Sequence, residues 1–191
     1  MNIKQMKSDV AIFANKTYQR WRIREEKAPK DIVGEEFERM RRGFWQSYGL
    51  QAQHEVIAGY NADTVVRRGE TILVIEEDKG HYYDACMLRR FLFNTAEVIL
   101  HYIEEDKVDQ VPILSLCSST KMKGCGDIFL KSIKVFDPTI QRIMKEKVRF
   151  FSYCKHDRIK AKQYYATPQG GYVLDDDLLQ EQLDFAKEVI G

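Results

Sequence analysis

The sequence lacks the spacings that would build a zinc site or a dithiol redox centre. Its four cysteines, at 86, 117, 125 and 154, form no C-x-x-C pair, and its histidines, at 54, 81, 101 and 156, form no ligand spacing. No glycine-rich phosphate loop is present, because Gly124-Cys125-Gly126 lacks the residues that must follow it. No serine lies in G-x-S-x-G. No apolar run reaches the roughly 18 residues of a membrane-spanning helix, and Met1 to Lys7 lacks the apolar block of a secretory signal. Internal repeats and low-complexity stretches are absent. These absences lead us to expect a cytoplasmic protein, off the membrane, whose cysteines are buried free thiols.

A charge excess of one sign is also missing. The 191 residues carry a net charge of +1, whereas a surface that holds nucleic acid unaided ordinarily shows a clear basic excess. The basic charge is local. Residues 1–30 hold eight Lys and Arg against three acids, a net +5, so the remainder is net negative. Either this basic helical arm is the main phosphate-binding surface, or another subunit supplies the grip.

The length suits one domain, divided into the arm at 1–30, a core at 32–154 and a C-terminal extension at 155–191. Apolar spacing predicts helices over 8–25 and 32–48, separated by a break at 27–31. Strands are expected at 52–58, 62–67 and 70–78, with Arg67-Arg68-Gly69-Glu70 joining the last two. Thr71-Ile72-Leu73-Val74-Ile75 is apolar on both faces, as a central strand requires. A long helix at 82–104 follows, then a strand at 111–117, a loop at 118–126, and a helix at 127–146 interrupted at Asp137-Pro138. A strand at 148–154, a turn at 167–171 and a last helix capped by Asp175 or Asp176 complete the chain. Adjacent early strands suggest a hairpin, and helix-linked later ones suggest parallel crossovers. The expected fold is a mixed α/β sheet with helices on both faces and an extra helix at each end.

The chemistry gathers at the end of the apolar strand. Asp63 lies on one arm of the hairpin, and Glu76-Glu77-Asp78-Lys79 ends the other. Carboxylate oxygens suit a hard ion such as Mg²⁺, which can stabilise charge on a scissile phosphate and acidify its water. A neighbouring lysine can orient that water or offset transition-state charge. Which glutamate joins Asp63 depends on the turn. A two-residue turn at Gly69-Glu70 sets Asp63 opposite Glu76, whereas a three-residue turn gives it the parity of Glu77 and Lys79. A bulge near Glu76-Glu77 would reconcile the two. Glu77 with Lys79 is the preferred set and Glu76 the rival. The bland reading of the same residues is a solvated strand end.

On Asp63, Glu77-Asp78-Lys79 and this order of elements, the chain resembles the PD-(D/E)xK nuclease superfamily, which includes most type II restriction endonucleases. Ala62 stands where the motif's proline would be, a replacement the family tolerates. The resemblance covers 32–154 and implies an αβββαβ restriction endonuclease-like core. It also implies Mg²⁺ on Asp63 and Glu77, hydrolysis of double-stranded DNA leaving a 5′-phosphate, and Lys79 beside the water. The family often adds an acid from the preceding helix, for which Glu36 is the candidate over Glu38. With the near-neutral charge, the chain is similar to the small strand-cleaving subunit of a heterodimeric type IIS enzyme, with a compact homodimeric enzyme close behind. A repair or recombination nuclease is the rival within enzymes, and a non-catalytic α/β interaction module the rival outside them. Arg20 and Arg22, interleaved with Trp21 and Arg24, are candidate DNA contacts, or the helix simply packs its tryptophan inward. Lys121 and Lys123 read equally as phosphate contacts or surface lysines. Arg89 and Arg90 face DNA or pair with acids such as Glu97.

Overall fold

Arg68 pairs with Thr71 across a two-residue turn, and Gly69 takes the positive φ of 58° that the first position of such a turn needs. The computed structural model that shows this describes residues 1–23, 29–80, 85–120, 124–154 and 174–191. The turn joins β2 (Tyr60–Arg68) to β3 (Thr71–Lys79) as an antiparallel hairpin, and β1 (Gln51–Ile57) pairs antiparallel with β2. β4 (Ile113–Thr120) lies parallel to β3, and β5 (Val148–Cys154) parallel to β4. The sheet order is β1-β2-β3-β4-β5, which leaves β3 in the centre.

Helices supply the parallel crossovers, as parallel pairing demands. α3 (Ala85–Glu104) links β3 to β4, while α4 (Cys125–Ser132) and α5 (Pro138–Lys147) link β4 to β5. α1 (Ile3–Ile23), α2 (Pro29–Gln46) and α6 (Asp176–Ile190) pack on the opposite face. The fold is therefore the mixed α/β sheet flanked by helices that the order of elements implied. Each face has its own core. Val65, Ile75 and Leu116 meet Leu88, Leu92 and Ile99 of α3 on one side. Val66, Val74 and Phe151 meet Phe13, Phe37, Trp45 and Leu183 on the other. Each fully buried side chain of this size contributes about 1.5–3 kcal/mol. Among the described residues no helix is long and apolar enough to cross a membrane.

Several boundaries differ from the expected ones for identifiable reasons. α1 begins at Ile3 because Asn2 Oδ1 accepts the Gln5 N–H at 2.9 Å, a side-chain cap. Its Met6, Val10, Phe13 and Ala14 are buried in the core, so the basic arm is docked rather than extended. β4 runs on to Thr120 because Ser118 still pairs with Lys79 and Ser152, and Thr120 with Cys154. The interruption expected at Asp137-Pro138 is present and opens a separate helix, α5. Asp137 accepts the Thr139 N–H at 2.8 Å and Pro138 opens α5, so a new cap starts there. Asp175 rather than Asp176 caps α6, accepting the Leu178 N–H at 3.2 Å. The turn at 167–171 lies outside the described residues.

One contact sets α2 against the end of β3. A Cβ at Gly80 would sit 2.6 Å from Val33 Cγ1 and 2.7 Å from the Val33 carbonyl oxygen. Only glycine lets the two backbones approach so closely, one residue beyond Lys79.

Candidate active site

The register of the hairpin decides which acids meet. Arg67 pairs with Ile72 but Val66 pairs with Val74, so Leu73 is an extra residue on β3. The two-residue turn alone would set Asp63 opposite Glu76. The bulge moves Thr64 level with Glu76, and the next step brings Asp63 level with Glu77. Side chains alternate along a strand, so Asp63, Glu77 and Lys79 share the α3 face, and Glu76 and Asp78 the α2 face. The reconciling bulge thus exists, but it lies at Leu73 beside the turn rather than at Glu76-Glu77.

On the α3 face the three side chains touch. Lys79 Nζ lies 2.5 Å from Glu77 Oε1 and 3.4 Å from Asp63 Oδ2. The Asp78 N–H donates to Asp63 Oδ2 at 2.8 Å, and the Tyr60 hydroxyl donates to Glu77 Oε2. Both carboxylates are thereby fixed by neighbours. Burial and then the facing Glu77 charge raise the Asp63 carboxyl above its ordinary range, against Lys79 and the Asp78 N–H. Burial would lower Lys79, but Glu77 and Asp63 outweigh it and hold the ammonium charged. Burial and the Glu77 charge push Tyr60 up, so it remains a donor.

These groups fit a hard divalent cation. The donors are carboxylate oxygens, and Asp63 Oδ1 accepts no hydrogen bond among the described residues. Burial first and the facing Glu77 charge second disfavour an ionised Asp63, and a bound cation would offset both. The set lines a cleft of about 400 Å³ between the hairpin and α3.

The acid that α2 brings to this site is Glu38, not Glu36. Glu38 is raised by burial and next by the charge of Asp63, with Arg42 and Lys79 acting against. Arg42 ties the same region together by donating to the Asp63 carbonyl at 3.1 Å. Glu36 is buried instead at a groove between α1 and α2, 3.5 Å from Arg39. Two positions along a helix is about 200° of rotation, which is why neighbouring acids diverge.

Glu76 lies on the other face of the sheet from this set and is already compensated. Arg41 Nε and Nη2 donate to its two oxygens at 2.8 and 2.9 Å, and Ser115 Oγ donates at 2.9 Å. Arg41 Nη1 donates onward to Tyr153 Oη and Gln182 Oε1, each at 2.8 Å. Burial would raise Glu76, but the Arg41 charge and these bonds hold it below the ordinary carboxylate range. Glu76, Asp78 and Cys117 lie close enough to share an ion, yet Arg41 fills that role. Burial pushes the Cys117 thiol up, which keeps it neutral.

Asp78 completes this buried network as a carboxyl held toward its neutral form. Burial and then the Glu76 charge raise it well above its ordinary range, against Arg41 and the Thr64 hydroxyl, which donates to Oδ2 at 2.7 Å. Its Oδ1 is buried without a hydrogen-bond partner, 3.9 Å from Arg41 Nε, and a proton there gives it a bond to donate. In the unfolded chain Asp78 titrates near its ordinary value. As pH rises from that value to the folded one, the unfolded state loses a proton that the folded state retains, so stability falls across this window. Asp78→Asn mimics the neutral acid. It is expected to be more stable than wild type at neutral pH by on the order of 1 kcal/mol, with the difference vanishing below the ordinary carboxylate range. Denaturant titrations of both proteins across pH test this. An Asn variant less stable at neutral pH would show that Asp78 is ionised.

The remaining candidates separate. Arg90 lines the cleft, whereas Arg89 lines a different cavity with Phe93 and Phe136. Arg20 and Arg22 fall near the end of α1 with side chains outside the described residues, as do Lys121 and Lys123 entirely. Tyr60 and Arg41 were not singled out from sequence, and Glu38 was ranked below Glu36. The one available signal was Arg41, an arginine at helical spacing from Phe37, Phe44 and Trp45 on the apolar stripe. Comparison with known protein families, curated proteins and solved structures yields no match to the chain.

Proposed function

We propose that the chain is a Mg²⁺-dependent DNA endonuclease. The observation that carries this reading is the Leu73 bulge, which sets Asp63, Glu77 and Lys79 on one face at the mouth of a cleft. Mg²⁺ would be held by Asp63 and Glu77, and when bound it supplies charge stabilisation at the scissile phosphate and a more acidic water. The protein's part is positioning. Lys79 holds Glu77 in place and presents a fixed positive charge where negative charge develops. The Asp78 N–H and the Tyr60 hydroxyl fix the two carboxylates, as outer partners do at metal sites. The resemblance to PD-(D/E)xK nucleases rests on these same residues, and the order of elements supports it.

Double-stranded DNA is the proposed substrate, cut to leave a 5′-phosphate, within a type II restriction enzyme. The net charge of +1 favours a chain that cuts DNA held with a second protein subunit or a second copy. The four cysteines form no disulfide, three buried and Cys86 exposed, which suits the reducing cytoplasm.

Plasmid DNA incubated with Mg²⁺ and the protein, alone and with the products of neighbouring genes, tests the reading. Nicks that require metal and vanish in Asp63→Ala and Lys79→Ala are expected. Absence of nicks under every condition, or cutting by both variants, would overturn it. Nicks that appear only with a second protein support the subunit role, and sequence-specific cutting by the chain alone rejects it.

A further inference from the structure

We infer that the α3 wall of the cleft, through Arg90 and Asn94, seats a phosphate of the DNA backbone. The inference rests on the nuclease reading and deepens it. Arg90, Asn94 and Glu97 recur at helical spacing and so share one face of α3, and that face lines the cleft with Asp63, Glu77 and Lys79.

Charge decides what each group can do. Lys79 is engaged by two carboxylates, so it offers little net attraction to an incoming anion. Among the described residues lining the cleft, Arg90 is the one cation without an acidic partner. Besides Arg90 and the engaged Lys79, the charged groups lining the cleft are the acids Asp63, Glu77 and Glu97. The guanidinium fork matches two phosphate oxygens at once. Asn94, one turn further and half-buried, adds neutral amide donors. Glu97, a turn beyond that, repels phosphate and confines it to the Arg90 end of the wall. The ligand class is therefore a backbone phosphate presented beside the carboxylates, not a base edge.

The test measures binding of a fluorescein-labelled DNA duplex across a KCl series. Ca²⁺ replaces Mg²⁺, since it takes oxygen ligands with looser geometry. Cleavage in Mg²⁺ is followed in parallel. Arg90→Ala is expected to raise Kd about tenfold and to reduce the slope of log K against log salt by about one, the mark of one lost phosphate contact. KM rises accordingly, with kcat within a few-fold. Arg90→Lys keeps the slope, and Asn94→Ala weakens binding without changing it. Arg89→Ala, on the same helix but facing the other cavity, stays within about twofold of wild type in both assays. Unchanged Kd and slope in Arg90→Ala, with wild type still cutting, overturns the inference and leaves the nuclease reading intact. A wild type that binds through Arg90 but never cuts supports the seat and rejects the nuclease. A wild type that neither binds nor cuts overturns both.

Discussion

Glu77→Gln is expected to lower metal-dependent cutting by a factor on the order of 10² or more, while Glu76→Gln leaves the chemistry of the folded molecules in place. The two glutamates are adjacent and chemically identical, so composition and exposure of the segment cannot separate them. Their faces do. Glu77 lies 2.5 Å from Lys79 at the cleft, whereas both oxygens of Glu76 are taken by Arg41 beneath the sheet. Removing the Glu77 charge takes away a proposed metal ligand and the anchor of Lys79 together. Removing the Glu76 charge leaves Arg41 buried without its counter-ion, a fault of folding rather than of chemistry. Nicking rates normalised to the folded fraction, read by circular dichroism on the same samples, distinguish the two. A folded Glu76→Gln protein that cannot cut, beside an active Glu77→Gln protein, would reverse the assignment.

Arg41→Ala is expected to cost about 3–5 kcal/mol of stability, because it strands a buried carboxylate. A domain's whole margin is of order 5–15 kcal/mol, so this substitution alone brings the fold close to its limit. The loss reaches further than the pair. Tyr153 and Gln182 also accept from Arg41, which ties α2, β3, β5 and α6 together through one guanidinium. Replacing both partners, as Arg41→Met with Glu76→Leu, removes the stranded charge and is expected to cost less than the sum of the two single changes. Recovery stays incomplete because Ser115 and Gln182 keep polar atoms aimed at the vanished pair. Urea unfolding of the four proteins measures the coupling. Strict additivity would show that the pair does not act as a unit.

The fold was legible because its signals are periodic. β5 matches its expected bounds because Val148, Phe150, Phe151, Tyr153 and Cys154 crowd apolar and aromatic side chains between α5 and the segment that follows. α3 carries Leu88, Leu92 and Ile99 on one stripe, and all three are buried. Asp63 and Lys79 were legible because a buried strand rarely ends in so many charges without a purpose. Sequence favours Glu36 over Glu38 because Glu36 lies nearer the apolar stripe of α2, yet nearness to that stripe is not nearness to the cluster. The stripe faces the sheet, and the cluster lies at its edge. Arg41 escaped notice because helical spacing marks a position as inward without saying that a charge there will find its partner 35 residues away. The glutamate remained open because a bulge leaves no mark in composition: Leu73 is an ordinary strand residue.

That single leucine has a consequence for how related chains are compared. A strand of period two carries two independent texts, one per face, and an extra residue upstream selects which text is read against the neighbouring strand. Point substitution cannot exchange the cleft-facing acid for the buttressing one, but an insertion or deletion at Leu73 exchanges them in one step. Relatives that differ by one residue in this hairpin are therefore to be aligned by sheet face, with the gap placed beside the turn. A gapless alignment would pair Asp63 with the wrong glutamate and hide a site that the fold has kept.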